Sequence, residues 1–149
     1  MRITTKGRYG VRAVLYLASN YLNRPVSIKK IANEENISPE FLEQIFFRLK
    51  KAGIIDSHRG PGGGFVLSKN TSDISIMDIL KALDETIFLV PCIKDRDCLR
   101  MERCIARNIW SDLSKMIKDY FTNLTIKDLL EKNKTEFYED LESGQTFSI

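Results

Sequence analysis

The chain has 149 residues, 43% hydrophobic and 29% charged, which suits one ordinary globular domain with an appendage and argues against a disordered chain. No apolar run approaches the ~18 residues of a membrane span, and the opening Met1–Arg8 has neither the apolar stretch nor the cleavage site of a secretory leader, so a cytoplasmic protein without a membrane partner is expected. The net charge of +3 hides an asymmetry: residues 1–69 carry twelve Lys and Arg against five Asp and Glu, residues 70–149 eleven against fifteen. A basic front half suits a polyanion such as nucleic acid, although a solvated surface has the same composition.

In chain order, Val11, Val14, Leu15, Ala18 and Leu22 recur at helical steps and predict an amphipathic helix over 7–22, broken by Asn23-Arg24-Pro25. Ser27 is placed to cap a short helix, Ile28–Glu35, and Asn36 to stop it. Ser38-Pro39-Glu40 opens a third helix, with Ser38 as cap and Pro39 in the first turn; Phe41, Leu42, Ile45, Phe46 and Leu49 form its stripe, and Gly53 ends it. Two β-patterned runs, Ile54–Ser57 and Phe65–Leu67, flank His58-Arg59-Gly60-Pro61-Gly62-Gly63-Gly64 and predict a hairpin. Ser75 caps a further helix, Ile76–Leu83. Residues 85–103 are a loop holding the cysteines, the third of which, Cys104, stands at its far edge, and residues from about 104 to 121 are a helix striped by Ile105, Ile109, Leu113, Met116, Ile117 and Tyr120. A short helix follows Thr125, and the polar stretch after Asn133 is expected to be a loose tail. The expected divisions are 1–84, 85–103, 104–133 and 134–149.

Short helix, tight turn, second helix and glycine-tipped hairpin, in that order, describe a winged helix-turn-helix, in a mainly α fold with a small β-hairpin wing. The second helix of such a pair enters the major groove of double-stranded DNA with its N-terminal residues on base edges. Here these are Ser38, Glu40, Glu43 and Gln44, backed by Ile28, Ile31, Ala32 and Ile37. Arg59, with Gly60 and Gly62 at the hairpin tip, suits a narrow, negative minor groove. Glu43 can accept from cytosine N4, or it can pair locally with Arg48 or Lys50. The glycine-rich loop lacks the Gly-Lys-Ser/Thr ending of a nucleotide-binding P-loop.

Cys92, Cys98 and Cys104 are evenly spaced, with five residues in each interval. An odd, tightly clustered set is no disulfide framework. Thiolates are ligands for iron–sulfur clusters and zinc, and the spacing fits zinc poorly. Metal or cluster binding, thiol redox chemistry and three incidental thiols all remain open on the residues alone. An electron-transfer protein would need the cysteines but not the helix-turn-helix.

Met1–Gly10 (Met-Arg-Ile-Thr-Thr-Lys-Gly-Arg-Tyr-Gly), Ile37-Ser38 with Phe41–Ile45, and Arg59-Gly60-Pro61-Gly62-Gly63-Gly64-Phe65 resemble the family of winged-helix transcriptional regulators that includes IscR, NsrR and CymR, over residues 1 to about 130. The resemblance implies a homodimer built on a long dimerisation helix, DNA contacts that include Arg2, regulation of transcription and no enzyme activity. The cysteine triplet followed by Trp110 is most similar to the IscR-like members and implies a 2Fe–2S cluster on Cys92, Cys98 and Cys104. Their histidine ligand, three residues past the third cysteine, is here Arg107, a cation with no lone pair to offer. The aspartate ligand of the NsrR-like members is here Arg8. The fourth ligand is thus unassigned, with Asn108, Glu102, Asp95, Asp97, a partner-chain group and an exogenous thiol or water as candidates. The only histidine, His58, falls in the wing. The ending Phe147-Ser148-Ile149 resembles that of the CymR-like members and implies an alternative: a cluster-free regulator of cysteine or sulfur metabolism, controlled by thiol oxidation or by an enzyme docked on the C-terminal tail.

Overall fold

A computed structural model describes residues 2–20, 24–94 and 98–143. Among the described residues seven α-helices, one hairpin and a single 3-10 turn (Thr71–Asp73) follow each other: α1 (Thr5–Ser19), α2 (Ile28–Glu35), α3 (Pro39–Lys51), β1 (Ile55–His58), β2 (Gly64–Leu67), the 3-10 turn, α4 (Ile76–Ala82), α5 (Pro91–Lys94), α6 (Ala106–Asn123) and α7 (Ile126–Ser143). This is the expected mainly α fold with a two-stranded wing.

Each cap has a local cause. The Thr4 hydroxyl accepts from the Gly7 amide and starts α1 two residues ahead of the predicted helix. Ser27 and Ser38 cap α2 and α3 through the Lys30 and Phe41 amides. Asn36 stops α2 in the left-handed region, at φ 52°. Arg12 seals the same end: its guanidinium donates to the Glu35 carboxylate at 2.9 Å and to the Glu35 carbonyl, where a cation also suits the negative end of the helix.

The core lies where α1, α2, α3 and α4 converge. Val14, Ile31, Leu42, Ile45, Leu49, Ile79 and Leu83 are fully or almost fully buried, each worth roughly 1.5–3 kcal/mol relative to exposure. Ile31, Ala32 and Ile37 pack behind α3 as expected, with Ile28 half-buried. Gly10 brings α1 close to α4, because a Cβ there would meet Leu83 Cδ1 at 2.2 Å.

The C-terminal half differs from expectation at its ends. Helix α6 begins at Ala106 and runs to Asn123. Helix α7 is not short: it continues past Asn133 to Ser143, where a loose tail was expected. Its first turns return to the core, with Ile126 fully buried and Leu129 and Leu130 half-buried against it. The cysteine segment contains α5, a single turn. Among the described residues no helix is long and apolar enough to cross a membrane.

Candidate nucleic-acid interface and cysteine segment

Helix α3 buries Leu42, Ile45, Phe46 and Leu49 and turns the opposite face outward. Glu40, Glu43, Gln44, Phe47 and Arg48 share one surface depression on that face. Glu40, Glu43 and Gln44 are exposed, as is Ser38 just ahead of them. The Ser38 oxygen accepts from the Phe41 amide, which leaves its hydroxyl proton for a ligand. Local pairing of Glu43 is not seen among the described residues. The Arg48 guanidinium pairs instead with Asp84, and Lys50 donates to Ser57. The acceptor on Glu43 therefore faces solvent.

The wing is locked to this helix at its base. Ile55 pairs with Leu67 and His58 with Gly64 across an antiparallel ladder. The Phe46 and Phe65 rings meet edge to face with centroids 4.8 Å apart. Val26 and Phe65 exchange backbone hydrogen bonds at 3.0 and 2.8 Å, which adds the segment before α2 as a third rung. Gly64 makes that possible: its φ is 154°, and a Cβ would lie 2.4 Å from the Val26 carbonyl carbon. At the tip the Gly63 amide donates to the Gly60 carbonyl at 2.9 Å. Pro61 in the second place and Gly62 at φ 73° in the third suit a type II turn. Arg59, Gly60 and Gly62 are exposed, and Arg59 has no ion pair among the described residues.

Arg2 is exposed in the extended segment ahead of α1. That segment is tied down by Glu85, whose carboxylate accepts from the Thr4 amide at 3.2 Å and from the Thr4 hydroxyl. Two further features were not anticipated. Lys29 and Lys30 stand exposed at the start of α2, lining a depression shared with Asn33, Asn36 and Pro39. Two lysines directly behind the Ser27 cap were the available signal. Phe47 is the other, an aromatic that the stripe pattern left outside the core.

The cysteine segment differs in kind. Cys92 lies on α5, half-buried; Cys98 is exposed; Cys104 is half-buried just ahead of α6. All three are free thiols. The Met101 and Arg107 amides donate to the Cys98 and Cys104 carbonyls, which folds the segment into successive turns. Among the described residues no three His, Cys, Asp or Glu side chains are gathered as a metal would require. The donor chemistry suits an iron–sulfur cluster, but the arrangement within one chain does not. Of the candidate fourth ligands, Glu102 and Asn108 are exposed, and Asp95 and Asp97 lie outside the described residues.

Helix α6 turns most of its apolar stripe outward, while Ile117 is half-buried against the core. Ile105, Met116 and Tyr120 are 86, 66 and 62% exposed, and Ile109, Trp110 and Leu113 are exposed beside them. Only Ser114 is buried on this helix.

The profile of the Rrf2 family, described as "Iron-dependent Transcriptional regulator", matches residues 3–132. The chain is 36% identical over 146 residues to the HTH-type transcriptional regulator IscR of Pectobacterium atrosepticum, covering 98% of this chain and 89% of that one. It is 40% identical over 134 residues to IscR of Vibrio cholerae, covering 90% and 78%. Among solved structures it is similar to CymR, the global cysteine regulator of B. subtilis, with TM-score 0.76, 32% identity and coverage of 89% and 98%. It is also similar to T. potens IscR, with TM-score 0.70, 30% identity and coverage of 100% and 94%.

Proposed function

The chain belongs to the Rrf2 family of transcriptional regulators, and on that footing we propose that it acts as a homodimer on double-stranded DNA, reading sequence with α3 and the wing and reporting iron–sulfur or thiol redox status through Cys92, Cys98 and Cys104. Like its relatives it is a regulator and not an enzyme. The observation that carries the DNA reading is the joint presentation of two groove elements. Exposed Ser38, Glu40, Glu43 and Gln44 on α3 and exposed Arg59 on the wing sit on one rigid unit, because Phe46 and Phe65 lock the two elements together. A helix on base edges with an arginine in the flanking minor groove combines direct and shape readout. Lys29, Lys30 and Arg2 supply cations for phosphates.

The exposed stripe of α6 supports the homodimer. A contiguous apolar face of this kind calls for a partner surface, and a twofold copy presents the same stripe in return. Two heads held by paired α6 helices would address two half-sites, at a spacing set by the helix pair. State changes at the cysteine segment, directly ahead of α6, would bias that spacing. Coupling of this sort needs only about 1–3 kcal/mol of difference between DNA-competent and incompetent forms.

A cluster-free reading is supported by two observations: the thiols are not gathered within one chain, and Arg107 stands where a histidine ligand would be. In it the cysteines act by oxidation, or an enzyme partner docks on the C-terminal tail. Phe147-Ser148-Ile149, the residues that would carry that docking, lie outside the described residues.

The test of the DNA reading is selection from random duplexes with the full-length protein, followed by footprinting over a salt series. The expected result is an enriched motif with two half-sites, and an affinity that falls steeply with salt as phosphates are neutralised. Failure to enrich any motif overturns it.

A further inference from the structure

Phe47 is 71% exposed on α3, although the fold gives its ring nothing to do. The core side of the helix is completed by Leu42, Ile45, Phe46 and Leu49. The ring sits in the same depression as Glu43 and Gln44, four and three residues before it, and these spacings put the three side chains on one face. The other charged neighbour, Arg48, is engaged with Asp84.

We propose that Phe47 is a specificity residue, which packs against the C5 methyl of a thymine in the major groove next to the base pair faced by Glu43 and Gln44. The inference rests on the DNA reading above and extends it. A phenyl ring has no donor for a phosphate, so the backbone contacts that position most side chains on DNA give it no reward. Its free energy comes from shedding water against another apolar group, and the apolar group on a base edge in the major groove is the thymine methyl. From residue 43 to residue 47 the helix advances about 6 Å, or one to two base-pair steps of ~3.4 Å. The three side chains would then demand different groups: Glu43 an amino donor, Gln44 an adenine edge and Phe47 a methyl.

The experiment uses the full-length protein and its selected duplex. Thymines are replaced singly by deoxyuridine, which removes the C5 methyl and leaves every hydrogen-bonding group. Parent, Phe47→Ala and Phe47→Leu proteins are titrated on each duplex, with circular dichroism as the folding control. The parent should lose about fourfold in affinity for one thymine in each half-site, the worth of one buried methyl. Phe47→Ala should bind the two duplexes alike, and Phe47→Leu should keep part of the discrimination. Deoxyuridine without effect on the parent within two base pairs of the Glu43 contact overturns the proposal, as does an equal loss for parent and Phe47→Ala. If the parent enriches no duplex, the DNA reading itself has failed. A parent with a firm motif but no methyl effect isolates the failure to Phe47.

Discussion

Ser75 and Thr125 face each other across an antiparallel bridge, and each also closes a capping box on its own helix. The Ser75 hydroxyl accepts from the Asp78 amide at 3.1 Å while Asp78 accepts from the Ser75 amide at 2.9 Å. Thr125 and Asp128 repeat the arrangement at 3.2 and 2.9 Å. Between the two boxes the Ile76 amide donates to Leu124 and the Ile126 amide to Ile74, both at 2.9 Å. This double clasp joins the winged head to the α6–α7 turn. The end of α6 is thus tied to the start of α4 by backbone hydrogen bonds.

The clasp has a pH signature. The two hydrogen bonds from Thr125 hold the Asp128 carboxyl below the usual carboxylate range. A carboxyl lowered by folding contributes stability above its unfolded pKa, and that contribution is lost as pH falls through the folded value. The loss should therefore fall below about pH 4. Asp128→Asn should lower Tm at neutral pH and flatten the decline of Tm in acid. Thr125→Ala should cost about 1 kcal/mol as a lost cap, measured by urea unfolding at pH 7.

The wing base is steric. Gly64→Ala puts a methyl into the Val26 backbone and a side chain at φ 154°. A cost of about 1–3 kcal/mol is expected for the backbone conformation alone, together with weaker DNA binding, because the hairpin must leave its third rung. Gly62→Ala meets nothing within 4 Å but keeps a φ of 73°, so it should be the milder of the pair. Denaturant unfolding of both variants checks the order.

Much of the winged head was legible from residues. The caps Ser27, Ser38 and Ser75, the stop at Asn36 and the glycine-rich turn are local devices, readable without knowing what they pack against. The Thr4 cap was missed because the apolar stripe that marks α1 begins later, at Val11. The extent of α7 was missed because its second half has few apolar residues at helical steps, and no strong periodicity announces it. Phe47 was open to the same kind of reading, because the stripe of Phe41, Leu42, Ile45, Phe46 and Leu49 leaves it outside the core; the fold adds its exposure and the depression it shares with Glu43 and Gln44. The cysteine spacing was visible, but whether the thiols converge is a property of three dimensions.

Two exposed side chains divide affinity from selectivity. Arg59→Ala removes a wing cation that no carboxylate holds among the described residues. It should weaken operator binding by about 1–3 kcal/mol if the minor-groove contact is made, with Tm unchanged. Glu43→Ala removes an acceptor that also repels phosphates. It should broaden the selected motif and raise affinity for random DNA. Repeated selection with each variant separates the roles, and an unchanged motif for Glu43→Ala would show its carboxylate to be idle.

The α6 stripe should set the oligomeric state. Met116→Glu and Tyr120→Glu each place a charge on an exposed apolar face without touching the core, so the folded chain should survive and a twofold pairing through this face should not. Sedimentation velocity should show a dimer for the parent and a shift to monomer for the variants. Operator affinity should fall with it, because each head then binds one half-site alone. Variants that remain dimeric with parent operator affinity would remove α6 from the interface.

Three soft thiolates are a ligand set suited to iron–sulfur chemistry, but within one chain they are not gathered, and the fourth place falls to an arginine. Ligation then requires the segment from α5 to α6 to draw Cys92, Cys98 and Cys104 together. Anaerobic loading with iron and sulfide should yield visible absorption that Cys92→Ser, Cys98→Ser or Cys104→Ser abolishes, since two remaining thiols are a poor hold. A fourth position without a protein ligand should make the absorption fade quickly in air. Arg107→His supplies a neutral imidazole three residues past Cys104 and should slow that fading, while leaving the winged head and its DNA affinity in the unloaded state unaltered. Loading that gives no iron, no sulfide and no colour decides for the cluster-free reading. In that case, titration of the three thiols with peroxide, followed by DNA binding, should show affinity moving with oxidation. If it does not move, the cysteine segment is not the sensory element.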